Sequence, residues 1–208
     1  MCGVVRASGG RSKSGPFIFI IAMKKLRLGN DSSMASYVLA TILLIIFSWL
    51  LHECGHYLMG CVLGYPMIMT MNSTYSSEGT STLLDSSLID AAGPFITIVE
   101  AFIGFYLLRR FSDRRLYPIV FVPFFMRLLA LGISFHNAND EARMSLTLGT
   151  GKFTLPVLVC AMLFYLVYRA SIEQGYRPRF QAITAIVTLL VSTGIILLDQ
   201  AFDIVLLS

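Results

Sequence analysis

Residues 34–63 read MASYVLATILLIIFSWLLHECGHYLMGCVL, and the fold is decided there. From Met34 to Leu51 no side chain is charged and nearly all are apolar. A helix rising 1.5 Å per residue over such a run is long enough to cross the roughly 30 Å hydrocarbon layer of a membrane. The same run carries His52-Glu53-Cys54-Gly55-His56 in its second half. Histidines four residues apart share a helix face and can hold a metal ion, and the glutamate between them can act as a general base. The chain has three histidines, and two of them form this pair.

Composition agrees with a membrane setting. The 208 residues are 56% hydrophobic and 13% charged, whereas soluble domains carry roughly 25% charged residues. That deficit excludes an ordinary soluble enzyme and predicts an integral, multi-pass protein in contact with lipid. The net charge of +4 would suggest nucleic acid or anionic lipid in a soluble chain. Here the placement of the charges matters more, and nucleic acid is not an expected partner. Cys2, Cys54, Cys61 and Cys160 show no CxxC spacing. Cys54 and Cys61 are separated by about 10 Å of helix rise, too far for a disulfide, and read as packing residues.

Five apolar segments are expected to span: Ala35–Leu63, Leu88–Leu108, Leu116–Phe135, Leu155–Tyr168 and Ala182–Leu198. Between the first two, Tyr65 to Leu84 is rich in Ser, Thr, Met and Tyr and partly alternating, which suggests a hairpin or a surface β-segment. The expected fold class is therefore all-α, a bundle of about five transmembrane helices with a short β-like or irregular segment after the first. Residues 31–208 form one membrane-embedded domain. Residues 1–30 form a basic segment with Arg6, Arg11, Lys13, Lys24, Lys25 and Arg27 around a short apolar stretch, Pro16 to Met23. That stretch reads either as a weak signal-like region or as an extension ahead of a natural start at Met23.

Lysine and arginine placement predicts an orientation. The six N-terminal charges, Arg109, Arg110, Arg114 and Arg115, and Arg169, Arg177 and Arg179 all fall on one side of a five-span chain. Arg143 and Lys152 fall on the other, and Arg127 lies within a span. The positive-inside rule puts the N-terminus in the cytoplasm.

A catalytic zinc site usually needs three protein ligands and an open position for water. His52 and His56 supply two, with Glu53 placed to take the water's proton. The third is sought in Phe135-His136-Asn137-Ala138-Asn139-Asp140-Glu141, the dense polar cluster that follows the third span on the same side as the end of the motif helix. Asp140 is preferred, with Glu141, His136 and Asp90 as alternatives. Gly93-Pro94 near the start of the second span combines close approach with a missing donor, and reads either as a locally opened helix or as an ordinary first-turn proline. Glu100 and Arg127, near the middles of the second and third spans, are expected to form an ion pair, since lone charges at that depth are costly. Asp199 and Asp203 carry no assigned role.

An HExxH in an early span, a Gly-Pro segment in a later one and an Asn/Asp cluster after another resemble the site-2 protease family of intramembrane zinc metalloproteases. The resemblance covers about Ala35 to Leu148. It implies one zinc ion per chain held by His52, His56 and Asp140, Glu53 as catalytic glutamate, and a membrane protein or peptide as substrate. It also implies that Gly93, Pro94, Thr97 and Asn137 position the substrate. The chain has Thr97 where the family usually has Asn, and Glu141 rather than Gly after the aspartate. The family places its zinc site towards the cytosol, whereas the charge rule here places it towards the exterior, and the arginines of the internal loops weigh more. The competing class is a membrane protein that binds or transports metal with the same residues and hydrolyses nothing.

Overall fold

Inside a bilayer a backbone N–H or C=O finds no water, so an apolar chain that enters must satisfy its own backbone as helix. The computed structural model describes residues 34–208 and is an all-α membrane bundle with one small sheet. Five of its helices are long and apolar enough to cross a membrane: α1 (Met34–Val62), α2 (Leu83–Phe111), α3 (Tyr117–Ile133, which spans as Arg114–Ile133 with the helical turn Arg114–Leu116 ahead of it), α5 (Thr154–Gln174) and α6 (Pro178–Phe202). A short α4 (Asp140–Thr147) lies between α3 and α5. The basic segment 1–30, with both readings of its start, lies outside the described residues.

Several helices outrun the apolar segments because polar caps extend them. Thr82 caps α2 by accepting from the Asp85 N–H at 3.0 Å, so the helix starts at Leu83 rather than Leu88. At the far end Ser112 takes a left-handed conformation with φ 53° and its N–H returns to the Leu108 carbonyl at 2.9 Å. α5 continues past Tyr168 through the Arg169–Glu173 pair at 2.7 Å and stops at Gly175 with φ 67°.

Pro94 does not open its helix. α2 runs unbroken from Leu83 to Phe111 with Pro94 inside it. Proline withdraws one donor, whereas unwinding the helix in apolar surroundings would orphan several backbone groups at once. The unbroken helix is the cheaper arrangement.

The segment after α1 forms a hairpin, β1 (Met67–Thr70) against β2 (Thr74–Ser76), in the register Met67↔Ser76, Ile68↔Tyr75, Met69↔Thr74. A third strand, β3 (Val205–Leu207), adds antiparallel to the other edge of β1, giving the order β2-β1-β3. The end of α6 thereby returns to the end of α1. Following the crossings, the arginines of the α2–α3 and α5–α6 turns share the side on which α1 begins. The hairpin, α4 and β3 share the opposite side.

α3 sits at the centre. One apolar cluster joins α2, α3 and α5 through Leu108, Tyr117, Val120, Phe121 and Leu163; a second joins α1, α3 and α6 through Ile45, Val122, Met126 and Ile195. Leu39, Leu43, Phe47, Phe102 and Phe164 face outward, as expected of a surface solvated by lipid.

The expected Glu100–Arg127 ion pair does not form. Glu100 accepts from Ser48 Oγ at 2.5 Å across the α1–α2 contact, and its Oε2 is buried without a hydrogen-bond partner. Arg127 turns instead towards α4, where Glu141 receives it at 3.0 Å. A carboxylate from a short helix lying over the end of the bundle reaches this guanidinium, which the neighbouring span does not.

Candidate metal centre

The site is built on α1, where the motif puts two imidazoles on one face. At 1.5 Å per residue, His56 and His52 lie roughly 9 and 15 Å from the end of the helix at Val62, within its membrane-spanning length. Both rings are fixed through Nδ1 by α2. His56 Nδ1 lies 2.6 Å from the Ile89 carbonyl, which can only accept, so that nitrogen carries the proton. His52 Nδ1 lies 3.0 Å from Thr97 Oγ1. Thr97 spends its single hydroxyl hydrogen on the Gly93 carbonyl at 3.0 Å, so it must accept from the ring. In the neutral rings both Nε2 atoms are therefore bare, and they face each other at 3.2 Å.

The third corner comes from α4. Asn139 caps that helix by accepting from the Ala142 N–H at 3.0 Å, which places Asp140 in its first turn over the histidines. Asp140 Oδ2 lies 3.3 Å from His52 Nε2 and 3.5 Å from His56 Nε2. Its Oδ1 accepts from Arg143 at 2.9 Å, which leaves Oδ2 directed at the rings. Burial raises the proton affinity of Asp140, but the two imidazoles outweigh it and hold the carboxyl well below the usual carboxylate range.

The triangle has the dimensions of a metal site. Tetrahedral zinc, with ligands at roughly 2.0–2.1 Å, requires donor atoms about 3.3–3.4 Å apart. The three edges observed are 3.2, 3.3 and 3.5 Å. Among the described residues, His52, His56 and Asp140 form the group able to hold a metal ion.

The other expected third ligands are used differently. Asp90 is clamped by Arg143 through two hydrogen bonds of 2.9 and 2.6 Å, which ties α4 to α2. Glu141 neutralises Arg127 with one oxygen and receives Asn139 Nδ2 on the other at 2.6 Å. His136 is exposed, and so is Asn137, which does not line the cavity.

Glu53 lines the same cavity, a space of about 300 Å³ bordered also by Trp49, Asn72, Ser73 and Thr74. Thr74 Oγ1 donates to Glu53 Oε2 at 2.9 Å. The hairpin that carries Thr74 is anchored in turn by Asp199 of α6, which accepts from Thr70 Oγ1 at 2.9 Å and from the Met71 N–H at 3.0 Å. Thr74, Asp199 and Arg143 are site residues that the sequence reading did not assign. Asp199 carried a signal, since an acidic residue near the end of an apolar helix must find donors.

Gly93 and Thr97, expected to position a substrate, pack against His52 and His56. A Cβ at Gly93 would run into both imidazole rings, so the glycine clears the space they occupy. Thr97 is buried behind His52 and sets its tautomer. Gly55 serves the same packing from the other side. A Cβ there would meet Ile96 Cδ1 at 2.8 Å and the Ala92 carbonyl at 3.0 Å, so α2, not a ligand, makes the close approach. Replacing Thr97 by Val removes the acceptor for Nδ1–H at similar volume. It should weaken metal binding about 10- to 100-fold, measured by competition with a chromogenic chelator, while Thr97→Ser keeps the affinity.

Four carboxylates, of Glu53, Asp90, Asp140 and Glu141, and two guanidiniums, of Arg127 and Arg143, surround the cavity. No known protein family, curated protein or solved structure matches the chain, so the site stands on its own geometry.

Proposed function

We propose that the chain is an intramembrane zinc metalloendopeptidase of the site-2 protease type, holding one zinc ion and cutting a membrane protein or peptide in or beside the bilayer. The observation that carries this reading is the triangle with zinc-like edges that Asp140 of α4 closes over His52 and His56 of the first span, beside Glu53. Two imidazoles and a carboxylate are ligands that suit zinc. When bound, the ion would polarise a peptide carbonyl and make an adjacent water more acidic.

The remaining work falls to the chain's own groups. Glu53 accepts a proton from the attacking water and returns it to the departing amine. The Thr74 hydrogen bond fixes the carboxylate that does this. The cavity, polar on the hairpin side, admits the water that hydrolysis consumes. His52 and His56, held by Thr97 and Ile89, keep both Nε2 lone pairs aimed at one point.

The positive-inside rule places this cavity towards the exterior, since the arginine-bearing turns lie on the opposite side. One experiment tests both statements. In sealed vesicles of known orientation, a membrane-impermeant chelator should stop cleavage of a transmembrane reporter when applied to the exterior face, and added zinc should restore it. Cleavage that survives chelation on both faces would remove the metallopeptidase reading. Inhibition from the cytoplasmic face alone would reverse the orientation and leave the chemistry intact.

A further inference from the structure

We infer that Arg127 is the oxyanion-binding residue of this site: its guanidinium receives the negative oxygen that a carbonyl develops under attack, and equally an oxyanion bound at the metal. This deepens the metallopeptidase reading and rests on its metal centre.

A guanidinium near the middle of a membrane helix is costly, and a purely structural one would set its planar fork on a single carboxylate. Arg127 does not. One terminal nitrogen, Nη1, goes to Glu141 Oε1 at 3.0 Å, and the second oxygen of Glu141 is taken by Asn139. The other terminal nitrogen, Nη2, lies 3.3 Å from His52 Nε2, and Nη1 also reaches Asp140 Oδ2 at 3.5 Å. Two of the three corners of the ligand triangle are thus bordered by this one side chain, from α3.

The contact with His52 has a consequence for the loaded site. A lone pair given to a metal no longer accepts a hydrogen bond, so metal binding takes the acceptor away from Nη2. A buried N–H without an acceptor is expensive, more so on a charged group. An oxygen arriving at the triangle replaces the lost acceptor. A carbonyl oxygen does so weakly and an oxyanion strongly, which is the difference that favours a transition state. The second guanidinium of the cavity, Arg143, is committed to Asp90 and Asp140 and cannot serve.

The test uses full-length protein in detergent loaded with Co²⁺, whose visible absorption reports ligands arriving at the metal, and inorganic phosphate as the probe. Arg127→Gln alone would strand Glu141, so the variant is R127Q/E141Q, which removes both charges. Wild type should show a saturable spectral change with phosphate, and R127Q/E141Q should bind Co²⁺ with at least tenfold weaker phosphate affinity. Arg127→Lys, which keeps the charge but not the fork, should fall between them. Equal phosphate affinity in wild type and R127Q/E141Q would overturn the inference while leaving the metal centre standing. Loss of Co²⁺ from R127Q/E141Q would also overturn it, because Arg127 would then act through the ligand set. A wild type that binds no Co²⁺ would remove the metallopeptidase reading itself.

Discussion

On the proposed metallopeptidase reading, Glu53→Gln should keep the metal and slow peptide cleavage by about 10²- to 10⁴-fold, the range that a lost general base costs. The change is isosteric, and the amide oxygen can still accept from Thr74 Oγ1, so hairpin and helix keep their contact. Glu53 is not a corner of the ligand triangle, so the affinity for zinc should move little. What disappears is a carboxylate able to take a proton from water. Single-turnover cleavage of a transmembrane reporter, measured beside zinc content, separates these effects. Cleavage at the wild-type rate in Glu53→Gln would remove Glu53 from the role of general base, and a wild type that binds metal but cuts no reporter would return the protein to the class that handles metal without hydrolysis.

Gly93→Ala should be as damaging, by a different route. The added methyl would occupy the space of the His52 and His56 rings, and neither partner can give way. The rings are tied to Thr97 and Ile89 of the same helix, and α1 cannot retreat without opening the tight Gly55–Ala92 contact. Overpacking at a rigid contact is relieved only by displacing side chains. Here the displaced side chains are the ligands, so zinc affinity should fall by on the order of 100-fold or more, beyond what a lost supporting hydrogen bond costs. Gly132→Ala is the control, since a Cβ there meets no atom within 4 Å. Equal zinc affinity in Gly93→Ala and wild type would show that α2 does not hold the rings as described.

Much of this arrangement was legible in the sequence because a bilayer leaves so few choices. An apolar run without charges has to be a helix, and five such runs gave the bundle. The end of α1 and the cluster around Asp140 had to share a side, which brought Asp140 within reach of the two histidines. Local spacing could not reveal contacts made across helices. The contact of Thr97 with His52 was not legible because position along α2 says nothing about which neighbour a hydroxyl meets. Arg127 was paired with Glu100 because both lie mid-span, and the direction of α4 decided otherwise. Asp199 lies far from the motif in sequence, and it joins the site only because α6 returns to the hairpin. Of the two readings of Pro94, the opened helix rests on a rule learned where water can donate to the freed carbonyl.

The measurement that bears most directly on the whole account is zinc content per chain, by elemental analysis of protein purified at fixed free zinc. Wild type and His136→Ala should each hold about one ion, while His56→Ala and Asp140→Ala should hold close to none, because two protein ligands seldom retain zinc. A wild type without zinc, or Asp140→Ala with the wild-type content, would contradict the His52–His56–Asp140 centre on which everything else rests.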